Sequence, residues 1–437
     1  MQRGALIAAA IVVIVVVVAA ALLMGGGAPQ QAPAQETQQP QQAPAAGGEA
    51  GKTMEINVGF LVDLSGPTSD VGKEYVKGAE AAFKYFNEKG IYTSDGVRVK
   101  INYIKRDYGY KPPKAAEFYQ EFRDRYHVVA IVGWGTADTE SLSDQTARDK
   151  ILYISASYSA KLVVKPYNFF PAPDYSTQAC AAVAWMAQQK PGATVALLYD
   201  HKVAYSKSPI PAIKAMAEKL GLKVVDVDLP LKADEAAAEA AIREAMKSNP
   251  DFLWCGNTIG SCSLAARAAA KLGLDAVMIA NVWGFDERFP KLAAADVAGR
   301  AGGVSPWKWP SVADPNAPGY RELFEAAKMA GYKPEEVNLR FMQGFMNVWL
   351  LVKAIERTTA KDLQERGGEA LKEALESSCQ GEPIKLGDIT PEMRYCPGNH
   401  LPFKSSYIVI WDGEKFVFHG PITPEGVDCV KATLEGG

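Results

Sequence analysis

The sequence predicts an α/β protein built as two doubly wound lobes. Three observations carry this expectation. Strand-like and helix-like segments alternate from residue 56 onward, which is the pattern of a parallel sheet with helices on both faces. The alternation restarts near residue 176 with the same design. A chain of 437 residues is also too long for one small domain and suits two lobes plus extras.

The first series opens with INVGFLVD (56–63), a near-continuous apolar run of the kind found in a strand covered on both faces. A turn, LSGPTSDVG (64–72), leads into KEYVKGAEAAFKYFNEK (73–89), where Val76, Ala79, Phe83 and Phe86 recur at helical spacing. VRVKINY (97–103) alternates as a strand, and PKAAEFYQEFRDRY (113–126) reads as a helix. HVVAIVG (127–133) is the next strand, ESLSDQTARDK (140–150) a helix, and ILYIS (151–155) a strand.

The second series runs from a helix near 176–189 to the strand TVALLYD (194–200). A helix at 208–220, the strand KVVDVDL (223–229) and the helix EAAAEAAIREAMKS (235–248) follow. DFLWCGN (251–257) and AVMIAN (276–281) are strands on either side of the helix SLAARAAAKLG (263–273). Three further helices, near 316–330, 335–357 and 366–378, exceed what the second lobe needs, so the chain is expected to cross back. SYIVIWDGEKFVF (406–418) reads as a hairpin around Asp412-Gly413. The expected division is 54–174 with 305–402 for the first lobe, and 175–304 with 403–437 for the second.

The N-terminal region has a different character. Residues 5–24 carry no charge, close to the roughly 20 apolar residues that span a bilayer. Arg3 precedes them and Lys52 is the next basic residue, which puts the N-terminus inside and the body outside. Residues 1–27 are therefore expected to be an anchor. A cleaved signal peptide is the rival, although its apolar region is usually only about 7–15 residues. Residues 28–53, rich in Gln, Pro and Ala, bury too little to order themselves and read as a linker. The body is then extracytoplasmic, tethered to the outer face of the membrane, or released if the segment is cut.

Composition narrows the function. A net charge of −3 and the lack of a basic run give no footing for nucleic acid. The six cysteines allow fifteen pairings. Cys255 with Cys262 and Cys379 with Cys396 are nearest in sequence, and buried free thiols are the equal alternative. No C-x-x-C or H-x-x-x-H spacing suggests zinc. No G-x-S-x-G, P-loop or H-E-x-x-H motif is present, and no nucleophile stands in a recognisable relation to a base. A binding protein without metal or cofactor is expected, not an enzyme.

Parallel lobes bind ligands beyond the carboxyl ends of their strands. LSGPTSDVG supplies hydroxyls before a helix, but taken alone a cap by Ser69 or Asp70 is the preferred reading. GWGTADTES (133–141) brings glycines that admit a close ligand, the flat face of Trp134, and Thr136 before a helix. It matches only two glycines of the dinucleotide fingerprint, since position 138 is Asp. SASYS (155–159) ends a core strand in three hydroxyls. In the second series YDHKVAYS (199–206) carries Tyr205, GNTIGS (256–261) carries Thr258, and ANVWGFDE (280–287) carries Trp283 and Asp286.

These stretches resemble a known family. NVGFLVDLSGPTSDVGKEYVKGAEAAFKYFNEKG (57–90) is similar to the start of type I periplasmic-binding proteins of the leucine/isoleucine/valine-binding group. IVGWGTADTESL, ILYISASYSA, VALLYDHKVAYS, DFLWCGN and GLDAVMIAN follow that group in order, so the likeness spans about residues 54–420. It implies two Rossmann-like lobes joined by three crossovers, which close on a solute like a flytrap and deliver it to ABC permease subunits. A monomer is expected. It also implies that Thr136 with Ala137 and Asp138, then Ser157 and Ser159, hold a ligand carboxylate, with Tyr205 as a second-lobe aromatic. One departure is plain. The family's acidic residue for the ligand ammonium would stand near Trp283, and Asp286 is three residues on. Thr258 stands near the place of a usual Tyr. With Trp134, Tyr158, Tyr205 and Trp283 around the cleft, a branched-chain amino acid leads, followed by an amide, a urea-like compound or an aromatic carboxylate. A ligand-sensing ectodomain is the other use of such a fold.

Overall fold

In the computed structural model, which describes residues 53–436, the first apolar run becomes strand β1 (Met54–Val62). Val58, Phe60 and Val62 are fully buried, as the run predicts for a strand with both faces covered. Around β1 stand β2 (Ile91–Tyr92), β3 (Arg98–Asp107), β4 (Ala130–Gly133), β5 (Leu152–Ser155) and β6 (Asn168–Phe169), in the order β2-β3-β1-β4-β5-β6. Every pairing is parallel except β2 with β3. β4 starts three residues later than the alternation suggests, because His127 takes a φ of 48° in the turn before it.

The second sheet holds β7 (Thr194–Tyr199), β8 (Lys223–Asp228), β9 (Phe252–Cys255), β10 (Val277–Ala280), β11 (Ala301–Ser305), β12 (Ser406–Trp411) and β13 (Phe416–Ile422). Their order is β13-β12-β11-β10-β9-β7-β8, parallel up to β11 and antiparallel for the closing hairpin. The sequence reading missed β11. Its AGGVS carries two glycines and one β-branched residue, which is weak strand chemistry. Ser305, assigned to the first lobe, is the last residue of this second-sheet strand.

The chain passes between the sheets after β6, after β11 and before β12. The returning segment brings helix Leu339–Glu356 onto the first sheet's helix Ser69–Lys89. Most of Leu339–Glu356 is buried, so it shows no single apolar stripe. The two helices meet at glycines: a Cβ on Gly78 would fall 1.8 Å from the carbonyl oxygen of Phe341, and one on Gly344 1.9 Å from that of Tyr75. Any side chain there would force the pair apart.

All six cysteines are paired, as Cys180–Cys429, Cys255–Cys262 and Cys379–Cys396. The anchor expected at 1–27 and the linker up to residue 52 lie outside the described residues. Among the described residues no helix is long and apolar enough to cross a membrane.

Candidate functional site

The carboxyl ends of the two sheets face each other across a narrow cavity, with about 20 Å³ open to water-sized spheres. That is room for about one ordered water.

The first-lobe wall is built at the end of β4. Helix Thr136–Asp149 begins four residues earlier than its apolar pattern suggests, because its first turn is polar. Gly135 is its N-cap and has no side chain to cap it, so the first-turn N–H groups, which lack partners within the helix, point out at this end. Gly135 and Thr136 line the cavity. The Thr136 hydroxyl lies 2.8 Å from that of Ser157. Trp134 also lines the space, and its indole N–H donates to Thr68 Oγ1 at 2.8 Å. Thr68 in turn donates to the buried Asp63 carboxylate at 2.6 Å.

The three serines of SASYS have different partners. Ser155 donates to the Ser157 carbonyl at 2.7 Å, which closes the turn. Ser157 reaches Thr136, behind the lining residue Ala156, and does not itself line the cavity. Ser159 turns away, donating to Glu140 at 2.6 Å and capping the short helix Ala160–Val163. Ala137 and Asp138 stand behind the wall and do not line the cavity. Asp138 is buried and accepts the Tyr108 phenol at 2.8 Å, while its Oδ2 has no partner. Burial, with Asp63 nearby, pushes its pKa up to about 7.

The second-lobe wall is aromatic. Tyr205, from the short helix Ala204–Lys207, donates to Asn281 Oδ1 at 2.5 Å. Trp283, from the loop after β10, donates through its indole N–H to Tyr175 Oη at 3.0 Å. The Trp134 and Trp283 ring centroids are 5.1 Å apart, so the indoles of the two lobes touch edge to face. Thr258, the N-cap of helix Ile259–Leu272, lines the same space. Tyr158 is one layer back, stacked on Trp283 at 6.0 Å.

Asp286 is not placed to meet a ligand ammonium. It is fully buried and outside the lining, with Arg340 Nε at 2.9 Å and Arg288 Nη2 at 2.7 Å. Burial alone would raise its pKa, but the two guanidinium groups outweigh that and hold it at about 2. No Asp or Glu is among the lining residues.

Sequence reasoning passed over Thr68, Val71, Tyr110 and Tyr175 in the lining. Thr68 is one of the hydroxyls of LSGPTSDVG, a stretch whose preferred reading is a helix cap by Ser69 or Asp70 rather than a ligand contact. Tyr110 sits at a φ of 58° in a tight turn. Tyr175 opens the first helix beyond a crossover, next to the N-cap Asp174, and only the crossover brings it to the cleft. A larger open groove, with about 260 Å³ open to water-sized spheres, lies beside the C-terminal helix and away from these strand ends.

A cleft closed between two parallel sheets, with an uncapped helix on one side and aromatics on the other, agrees with the family comparison. Residues 55–413 match the periplasmic binding protein family. The chain belongs to that family. A solved ABC transporter substrate-binding protein from Aeropyrum pernix is 58% identical, with a TM-score of 0.85, covering 88% of this chain and 100% of that one. A branched-chain amino acid ABC transporter protein from Thermus thermophilus, with bound valine, is 21% identical at a TM-score of 0.77, covering 88% and 99%. A fatty acid ABC transporter substrate-binding protein from Thermomonospora curvata is 20% identical at 0.71, covering 86% and 94%. The last two are alike in fold alone. The comparison with curated proteins gave no match. As a periplasmic binding protein the chain is a solute-binding component of an ABC transporter, with a small-molecule ligand and permease partners, acting outside the cytoplasm. The family is one of transport components rather than enzymes.

Proposed function

We propose that this binding protein captures a small carboxylate-bearing solute of amino-acid size in the interlobe cavity and passes it to an ABC permease. The observation that carries the reading is the first-lobe wall. The helix N-terminus at Thr136, with the hydroxyls of Thr136 and Ser157 beside it, would supply the donors a carboxylate needs. The apolar body would rest against Trp134, Trp283 and Tyr205. A branched-chain amino acid is the first candidate. The valine-bearing Thermus relative shares the fold, and aromatic faces attract an ammonium group. Residues 5–24 would hold the protein at the outer membrane face.

A second reading has its own observation. No acidic side chain lines the cavity, which favours a carboxylate or amide without an ammonium group. Thermal unfolding and calorimetry with valine, leucine, isoleucine, isovalerate, phenylacetate and their amides separate the two. Valine binding without isovalerate supports the amino acid. Isovalerate or phenylacetate binding at least as tightly as valine supports the second reading. If no carboxylate binds, the proposal fails.

A further inference from the structure

The lobes also meet through a contact that lies outside the solute site. Asp70 is in the first turn of Ser69–Lys89, on the first lobe. Its Oδ2 accepts the backbone N–H of Gly260 at 2.9 Å. Gly260 is in the first turn of Ile259–Leu272, on the second lobe, and no side chain of that helix's N-cap residue closes its end. Asp70 therefore does from across the cleft what a capping carboxylate does within a helix. It satisfies a free amide and sets negative charge against the positive helix end. Gly260 permits the approach, since a Cβ there would stand 3.0 Å from Asp70 Oδ2. Arg288 spans the same gap in the other direction. Its Nη1 donates to the Asp70 carbonyl at 2.9 Å while Nε and Nη2 stay on Asp286. Asp70 does not line the cavity.

We propose that Asp70 is a closure latch, a first-lobe carboxylate that docks on the N-terminus of Ile259–Leu272 when the lobes shut and sets how long a solute stays bound. When the lobes part, the carboxylate and the Gly260 amide return to water, so the contact weighs on the closed state alone. A group that favours one of two conformations shifts their populations by that difference. The latch touches no ligand, so its effect is the same for every solute the cavity accepts and falls on release rather than capture.

The test uses the full-length protein. All six native cysteines are in disulfides, so cysteines introduced by K114C and K247C, on exposed sites of the two lobes, take spin or fluorescent labels alone. Interlobe distances are measured with and without valine in the wild type, in D70N and in G260A, which crowds the carboxylate. We expect both variants to lower the closed fraction, and D70N to speed valine release about tenfold with little change in association. The apo unfolding midpoint stays near that of the wild type. Closed fraction and release rate both unchanged in D70N would overturn the latch. If valine leaves the wild type unmoved, the branched-chain reading fails instead. The latch is then judged in the same way with isovalerate or phenylacetate in place of valine, where a D70N closed fraction and release rate equal to those of the wild type overturn it.

Discussion

The hydroxyl oxygens of Thr136 and Ser157 lie 2.8 Å apart, joining the first turn of the helix after β4 to the loop after β5. Each hydroxyl orients the other, so their effects on binding should not add. For the tightest carboxylate of the panel, Ser157→Ala and Thr136→Val should each cost about 1–3 kcal/mol of affinity. The double variant should cost little more than either single one. Calorimetry on the four proteins measures this coupling. Full additivity would show that the two hydroxyls act apart.

Trp283 is held from three sides. Its indole N–H donates to Tyr175, its backbone N–H donates to Asn281 Oδ1, and the Arg340 guanidinium sits 5.1 Å from its ring centroid. Trp283→Phe keeps an aromatic face but leaves the Tyr175 phenol without its donor. We expect a loss of about 1–2 kcal/mol in urea unfolding and a shift in ligand preference towards bulkier carboxylates. An unchanged ligand ranking would separate Trp283 from specificity.

The three disulfides should differ in weight. Cys180–Cys429 joins residues 249 apart and ties helix Tyr175–Gln189 to the C-terminal helix, whereas Cys255–Cys262 spans 7. By loop-closure entropy the first is worth about 5 kcal/mol and the second about 2.5 kcal/mol. Removing each pair by Cys→Ser and comparing denaturant midpoints should reproduce that order. The reverse order would mean that local packing, not chain entropy, governs their contribution.

Asp138 sets a pH dependence. Burial raises its pKa from the ordinary 3.8 to about 7, so between those values the folded chain binds a proton that the unfolded chain has released. Stability must then fall as pH rises through this window, by up to roughly 2–4 kcal/mol. Asp138→Asn keeps an acceptor for Tyr108 and should flatten the slope between pH 5 and 8 in denaturant titrations. An equal slope in both proteins would assign the dependence to other groups.

Several of these features are written in short stretches of sequence. The apolar run at 56–63 and the alternation after it specify parallel strands, because a strand covered on both faces excludes polar residues wherever it lies in the chain. The strand-end position of Trp134, Thr136 and Ser157 follows from the same local logic. Thr68 and Tyr175 were not legible as lining. Each belongs to the cleft only after another part of the chain comes up against it.

What the sequence by itself determined is the doubly wound plan, the return of the chain for more helices, and the strand-end loops from which the cavity is made. The tertiary structure decided the rest. It gave Asp286 to Arg288 and Arg340, turned Ser159 towards Glu140, and set Asp70 against Gly260, 190 residues away. The reason is physical. Strand and helix periodicity is a property of neighbours along the chain, whereas the partner of a buried charge is settled by whichever opposite group the closed fold brings within about 3 Å, because an unpaired charge in that interior is too costly to leave.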